Sequence, residues 1–179
     1  MKNGVIFLAG IYGTGKTTVG KELSARLGLP CFQASELITE RNDEQYGATK
    51  HVKDVKNNQD ILAEAVADLR EKYEAFILTG HFAIFNKTHE VVEIPQEVFG
   101  RLGLSAIVLL ETTVDKAIQN ISGRDGKEYA AAEITALAQT ERRLAEQAAA
   151  QNGIPLFTRQ MDFNTDGKAI EKYLLEERK

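Results

Sequence analysis

Apolar and polar positions alternate along this chain between two kinds of pattern. Val5–Ala9, Phe76–Thr79, Ala106–Leu110 and Pro155–Thr158 are short, nearly continuous apolar runs, the form taken by strands buried on both faces of a parallel sheet. Between them, apolar residues recur at helical spacing. Val19, Leu23 and Leu27 predict a helix over Lys16–Leu27, which Gly28 and Pro30 close. Val52, Val55, Ile61, Leu62, Ala65, Val66 and Leu69 predict a long helix ending near Tyr73. Further helices are expected over 114–121, over 131–152 with Ile134, Leu137, Leu144 and Ala148 on one face, and over 166–177. Cys31–Gln33 reads as a short second strand, with Ser35 capping a helical turn that carries Glu36, Leu37 and Ile38. The polar stretch 41–50, with Gly47, reads as a mobile connection, 82–94 as an irregular hairpin, and 95–102 as a short helix opening with proline. This rhythm predicts an α/β fold: a doubly wound, five-stranded parallel sheet whose ligand crevice lies beyond the carboxyl ends of its strands.

Composition narrows the choice of ligand. A chain of 179 residues, 43% hydrophobic and 27% charged, fits one domain over 1–179 with a sizeable core. Its net charge of -4 supplies no overall basic field for nucleic acid or an anionic membrane, so an anionic ligand needs a local site. The apolar runs are too short to span a bilayer and no leader pattern precedes them, so a cytoplasmic protein is expected. Cys31, the only cysteine, excludes an intramolecular disulfide and a cysteine-based zinc cluster.

The local anion site is legible. Gly10-Ile11-Tyr12-Gly13-Thr14-Gly15-Lys16-Thr17 is a complete phosphate-binding loop between the first strand and the first helix. Gly10, Gly13 and Gly15 let the backbone wrap a phosphate, so that successive N–H groups of the loop, with Thr14 among its residues, and the following helix N-terminus point at the anion, while Thr18 is open between helix packing and contact with the α-phosphate. Lys16 would reach the β- and γ-phosphates of ATP, and the Thr17 hydroxyl would bind Mg²⁺. No Asn-Lys-x-Asp guanine signature is present, so a compact kinase acting on a small acceptor fits better than a GTPase. Phosphoryl transfer needs cations around the migrating group. Lys16, Arg124, Arg142 and Arg143 are the candidates. Arg124 lies in a charged, glycine-containing stretch, 122–130, that reads as a short closing lid. Arg142 and Arg143 sit within a helix, where surface pairing with Glu141 or Glu146 is the competing role.

The phosphate loop, together with Phe76–His81, Ile107–Glu111 and Ile121–Arg124, resembles the adenylate kinases and related nucleoside monophosphate kinases, above all the archaeal type. That resemblance implies ATP and Mg²⁺ as cofactors and a nucleoside monophosphate as acceptor, bound over about 33–73. It implies acceptor roles for Ser35, Glu36 and Arg41, for Ser35 alongside its role as a helix cap. It places Asn120 where an arginine is usual and aligns Arg142 or Arg143 with the family's helix arginine. Thr79 stands where that family carries an aspartate that orients magnesium's waters, and Glu36 or Glu111 is then the candidate substitute. His81 is open between contact with the acceptor phosphate and a buried structural role. Gln59, beside Asn58, is open between reading a base and lying on a solvated helix face. The departure at Thr79 keeps two alternatives in view: a small-metabolite kinase of the shikimate or gluconate kinase type, and a slow ATPase or nucleotide-binding regulator.

Overall fold

The computed structural model describes residues 4–46, 55–125 and 128–176. Its main sheet is formed by β1 (Gly4–Ala9), β2 (Cys31–Gln33), β3 (Ala75–Thr79), β6 (Leu104–Glu111) and β7 (Leu156–Gln160) in the order β2-β3-β1-β6-β7. All neighbours in it are parallel. A separate antiparallel pair, β4 (Ala83–Phe85) with β5 (Val91–Glu93), is the expected hairpin. The helices are α1 (Lys16–Leu27), α2 (Ala34–Tyr46), α3 (Val55–Lys72), α4 (Gln96–Arg101), α5 (Val114–Asp125), α6 (Ala131–Asn152) and α7 (Asp166–Glu176).

The period-two geometry of a strand sorts β1 between two apolar layers. Val5, Phe7 and Ala9 join a cluster with Leu62 and Val66 of α3, Phe99 of α4 and Ile134, Leu137 and Leu144 of α6. Ile6 and Leu8 join the opposite cluster with Val19 and Leu23 of α1 and Ile170 and Leu174 of α7. The sheet is thus covered on both faces, which is why its central strands read as unbroken apolar runs. Phe7, Phe82 and Phe99 meet at the heart of the larger layer, with ring centroids 4.3–5.6 Å apart.

Three expectations about element ends are corrected. Helix α2 begins at Ala34, so Ser35 lies within its first turn and is not its cap. Helix α2 runs on through Tyr46, so residues 41–46 are helical rather than a connection; 47–50 lie outside the described residues. Helix α5 continues through Asp125 instead of stopping near Ile121, so the first part of the predicted lid, including Arg124, continues a helix. Polar side chains conceal such extensions, because a solvated helical turn needs no apolar face. Residues 126–127 lie outside the description. Beyond them, the Tyr129 ring stacks on His89 at 5.1 Å and lies 6.1 Å from Phe85, against the hairpin.

Candidate active site

The site forms where β1 ends at the switch between neighbouring strands β3 and β6. Gly10 has φ 150, and a Cβ there would come within 2.6 Å of the Leu110 carbonyl and 2.8 Å of Thr14 Oγ1. Gly13, at φ 80, passes as closely over Ala117 of α5. No other residue fits either position without moving backbone. Thr14 is fully buried and its hydroxyl donates to the Ile11 carbonyl at 2.9 Å, so its side chain holds the loop's shape. Asn120 Nδ2 donates to the Gly13 carbonyl at 2.8 Å, bracing the loop from α5. Helix α1 then starts at left-handed Gly15 with no side chain capping its first N–H groups, the arrangement that presents a helix N-terminus to an anion.

Lys16 folds back over the loop, its Nζ donating to the carbonyls of Gly10 at 2.7 Å and Ile11 at 2.9 Å. Thr17 and Thr18 are exposed at the helix start. Thr17 Oγ1 lies 3.3 Å from Gln33 Oε1, and Gln33 Nε2 donates to Glu36 at 2.5 Å. Glu36 therefore reaches the loop through one intervening side chain.

A cavity of about 810 Å³ opens from the loop towards the acceptor side. Gly13, Gly15, Lys16, Thr17 and Thr18 line one end; Ser35, Ile38, Gln59, Leu62, His81 and Phe99 line the other, with Thr79 between. Gln59 is 7% exposed and turned towards the cavity wall, not to bulk solvent. His81 packs its ring 4.7 Å from that of Tyr12, at the wall. Thr79 is 5% exposed and uncharged, so the end of β3 brings no carboxylate. Phe163, just beyond β7, closes the nucleotide end against Gly15. Its φ of 61 is maintained by Asp166, which accepts its N–H at 2.6 Å, and Lys116 Nζ lies 5.6 Å from the ring centre.

The remaining predicted residues are placed elsewhere. Arg41 forms an ion pair with Asp68, linking α2 to α3. Arg142 is paired bidentately with Glu111, its Nε 2.7 Å from Oε1, beside a smaller cleft of about 240 Å³ on the other side of the loop. Arg143 pairs with Glu93 of the hairpin at 2.5 Å. Their partners are thus Glu111 and Glu93 rather than Glu141 or Glu146, and neither arginine lines the large cavity. The backbone of Arg124 lies in α5, and its side chain is outside the description.

The residue missed in the sequence is Glu141. It is 1% exposed, at the centre of α6. Its Oε1 accepts the Gly10 N–H at 3.0 Å and its Oε2 accepts those of Phe82 and Ala83 at 2.8 Å each. Burial pushes its carboxyl up to about 7, against the opposing influence of Lys16 and of the Ala83, Phe82 and Gly10 N–H groups. Its position supplied a signal: Glu141 falls on the same helical face as Ile134, Leu137, Leu144 and Ala148, a charge within an apolar stripe.

A family model described as an AAA domain matches residues 9–138. The chain belongs to this AAA-domain family. The chain is similar to Shikimate kinase 1 of Yersinia enterocolitica, with 27% identity over 114 residues, 63% of this chain and 61% of that protein. Shikimate kinase 1 of Serratia proteamaculans matches to the same extent, 27% over 114 residues, so the aligned region spans about three-fifths (61%) of these relatives' length. Among solved structures, a shikimate kinase from Acinetobacter baumannii in complex with shikimate superposes with a TM-score of 0.61 at 19% identity, covering 97% of this chain and 92% of that one. A gluconokinase from Sinorhizobium meliloti 1021 gives 0.56 at 15% identity, covering 98% and 95%. At these identities the likeness is one of fold, and it matches the five-stranded parallel α/β sheet of this AAA-domain chain. Among the described residues no helix is long and apolar enough to cross a membrane.

Proposed function

We propose that this protein is an ATP-dependent phosphotransferase acting on a hydroxyl of a small metabolite. The observation that carries the reading is the single cavity running from the phosphate loop to Gln59, His81 and Phe99, which would hold donor and acceptor end to end for in-line transfer. An acceptor oxygen would bond to the γ-phosphorus as the bridge to the β-phosphate breaks, the hydroxyl proton being released and ADP departing. Lys16 would leave its loop carbonyls for the phosphates, and Phe163 would lie against the adenine ring. Residues about 122–130, with Arg124, would close over the site as a lid.

The relatives favour a non-nucleotide acceptor over a nucleoside monophosphate, since the kinases found carry the names shikimate kinase and gluconokinase. The placement of Arg41 in an ion pair with Asp68 supports the same choice, because it removes one cation from the expected monophosphate site. The donor set fits Mg²⁺ in its usual mode, in which one or two protein oxygens supplement phosphate and water ligands. Thr17 would hold it, and Glu36, connected through Gln33, is the carboxylate near enough to orient its waters; Glu111 is engaged by Arg142. Bound there, Mg²⁺ would neutralise charge on the transferring phosphoryl group.

A coupled assay of ADP formation, run with shikimate, gluconate, other hydroxylated metabolites and the nucleoside monophosphates, tests the proposal. Stimulation by a non-nucleotide hydroxyl compound is expected. Stimulation by AMP alone would restore the nucleotide-kinase reading, and ATP binding without any acceptor-stimulated turnover would leave the slow ATPase or regulator.

A further inference from the structure

Of the buried ionisable groups among the described residues, Glu141 joins two walls that the chain otherwise builds separately. Gly10 ends the strand that enters the phosphate loop, and Phe82 and Ala83 follow the Thr79-Gly80-His81 segment on the acceptor side. The bonds from these N–H groups to Glu141 bridge 131, 59 and 58 positions of sequence. Gly10 is also bound from its other side, since its carbonyl accepts Lys16 Nζ at 2.7 Å. A continuous path therefore runs from Lys16 through the backbone carbonyl and N–H of Gly10 and the Glu141 carboxyl group to Phe82, the residue beside His81.

We propose that Glu141 is a positioning residue for phosphoryl transfer, fixing the separation between the phosphate loop with Lys16 and the acceptor wall with His81. The inference rests on the kinase reading above. A carboxylate suits this task because it accepts bonds at both oxygens and donates none, and three buried N–H groups converge on it. An amide does not, because its NH₂ would face either the Gly10 N–H or those of Phe82 and Ala83. A purely structural residue would be indifferent to the reaction coordinate. A positioning residue affects turnover more than binding, since misplacement of about 1 Å can cost about 100-fold in rate.

Glu141→Gln and Glu141→Asp are compared with Glu146→Gln, an exposed control on the same helix. ATP affinity is measured by calorimetry, and turnover is followed by ADP release in the presence of the acceptor that the coupled assay selects. For Glu141→Gln, a loss of about 100-fold in kcat with KM for ATP changed less than about threefold is expected; Glu141→Asp, still a carboxylate, should recover part of the rate. Equal kcat in wild type and a folded Glu141→Gln would overturn the proposal.

The wild-type protein supplies a second readout that survives if the variants do not fold or if ATP is not turned over. The amide resonances of Gly10, Phe82 and Ala83 are titrated from pH 5 to about 9, a range that brackets a perturbed carboxyl. The titratable and charged neighbours on the surrounding elements are Lys16 on α1, Glu111 on β6, Arg142 on α6 and His81 beside Phe82; neither Lys nor Arg titrates in that range at its ordinary value, whereas an imidazole does, so the titration is repeated in His81→Asn. A common midpoint for the three amides supports one carboxylate joining both walls, whereas a Gly10 amide that does not move with the other two would overturn it. Absence of ATP turnover with a shared midpoint would count against the kinase reading alone.

Discussion

The side-chain amide of Asn120 donates to the Gly13 carbonyl at 2.8 Å, tying helix α5 to the tightest turn of the phosphate loop. Where the resembled kinases would carry an arginine, this chain uses a neutral side chain to hold the loop itself. Asn120→Ala removes one partly buried hydrogen bond, of about 1 kcal/mol, and should weaken ATP binding about fivefold. Calorimetric titration with MgATP checks this. Unchanged affinity would show that the loop keeps its shape without α5.

Lys16 is the cation that the described part of the cavity offers to a phosphate. Lys16→Met keeps most of the side chain's length and removes its charge. Turnover should fall by about 100-fold or more, with a lowered thermal midpoint, because the Gly10 and Ile11 carbonyls lose their side-chain donor and Glu141 loses the charge that favours its carboxylate. Retained turnover would move the catalytic centre away from the loop.

Glu141 predicts a pH dependence of stability with a definite sign. The folded protein raises this carboxyl from 4.5 to about 7, so through that window the folded state binds the proton that the unfolded chain has released. Its contribution to stability therefore falls as pH rises from 4.5 to 7 and levels off above. In Glu141→Gln this dependence is absent. The wild-type midpoint minus that of Glu141→Gln should decrease across the window in differential scanning calorimetry; a constant difference would contradict the raised value.

Most of the fold was legible because strands buried on both faces and amphipathic helices leave unambiguous apolar patterns, as Val5–Ala9 and the Ile134–Ala148 stripe illustrate. The phosphate loop was legible because Gly10 and Gly13 occupy backbone shapes that few residues tolerate. Partnership was not. Pairs such as Arg142 with Glu111 and Arg41 with Asp68 bring together elements distant in sequence, and nothing in local periodicity records which charge meets which. The partners of Glu141 were hidden for the same reason, being backbone N–H groups that leave no trace in residue identity, although its charge within the apolar stripe of α6 marked the residue itself. Gln59 was open between two environments because an amide is compatible with both a cavity wall and a solvated face.

Phe163 should act on nucleotide affinity alone. It is 41% exposed yet held in a left-handed conformation by a turn in which Asp166 accepts its N–H and Asp162 accepts from Thr165 and Asn164, the latter bonds keeping the Asp162 carboxyl well below its usual range. Phe163→Ala should raise KM for ATP about tenfold with little change in kcat, as expected for loss of a ring contact worth about 1–1.5 kcal/mol. Because the folded carboxyl is depressed, the support from Asp162 is complete above pH 3.8 and is lost only as pH falls through the folded value. Asp162→Asn should therefore reproduce part of the Phe163→Ala effect at neutral pH. Steady-state kinetics over a range of ATP concentrations distinguishes this from a general loss of activity.

The two helix arginines make opposite predictions from the one that family resemblance suggests. Arg142 is 54% exposed and clasps Glu111, while Arg143 is 53% exposed and pairs with Glu93. The Arg143–Glu93 pair is exposed on both sides and contributes about 0–1 kcal/mol, so Arg143→Ala should leave stability almost unchanged, whereas Arg142 holds a largely buried Glu111 bidentately, so Arg142→Ala should cost about 1–3 kcal/mol. If the pairs persist during turnover, kcat in each variant stays within about twofold of the wild type. A loss of about 100-fold in one of them would instead identify the arginine that releases its carboxylate and swings onto the transferring phosphoryl group, since a cation there acts on the charge that develops in the transition state. Measuring both variants against the same acceptor decides between them, because Glu111 lies at the end of β6 beside the loop whereas Glu93 belongs to the hairpin.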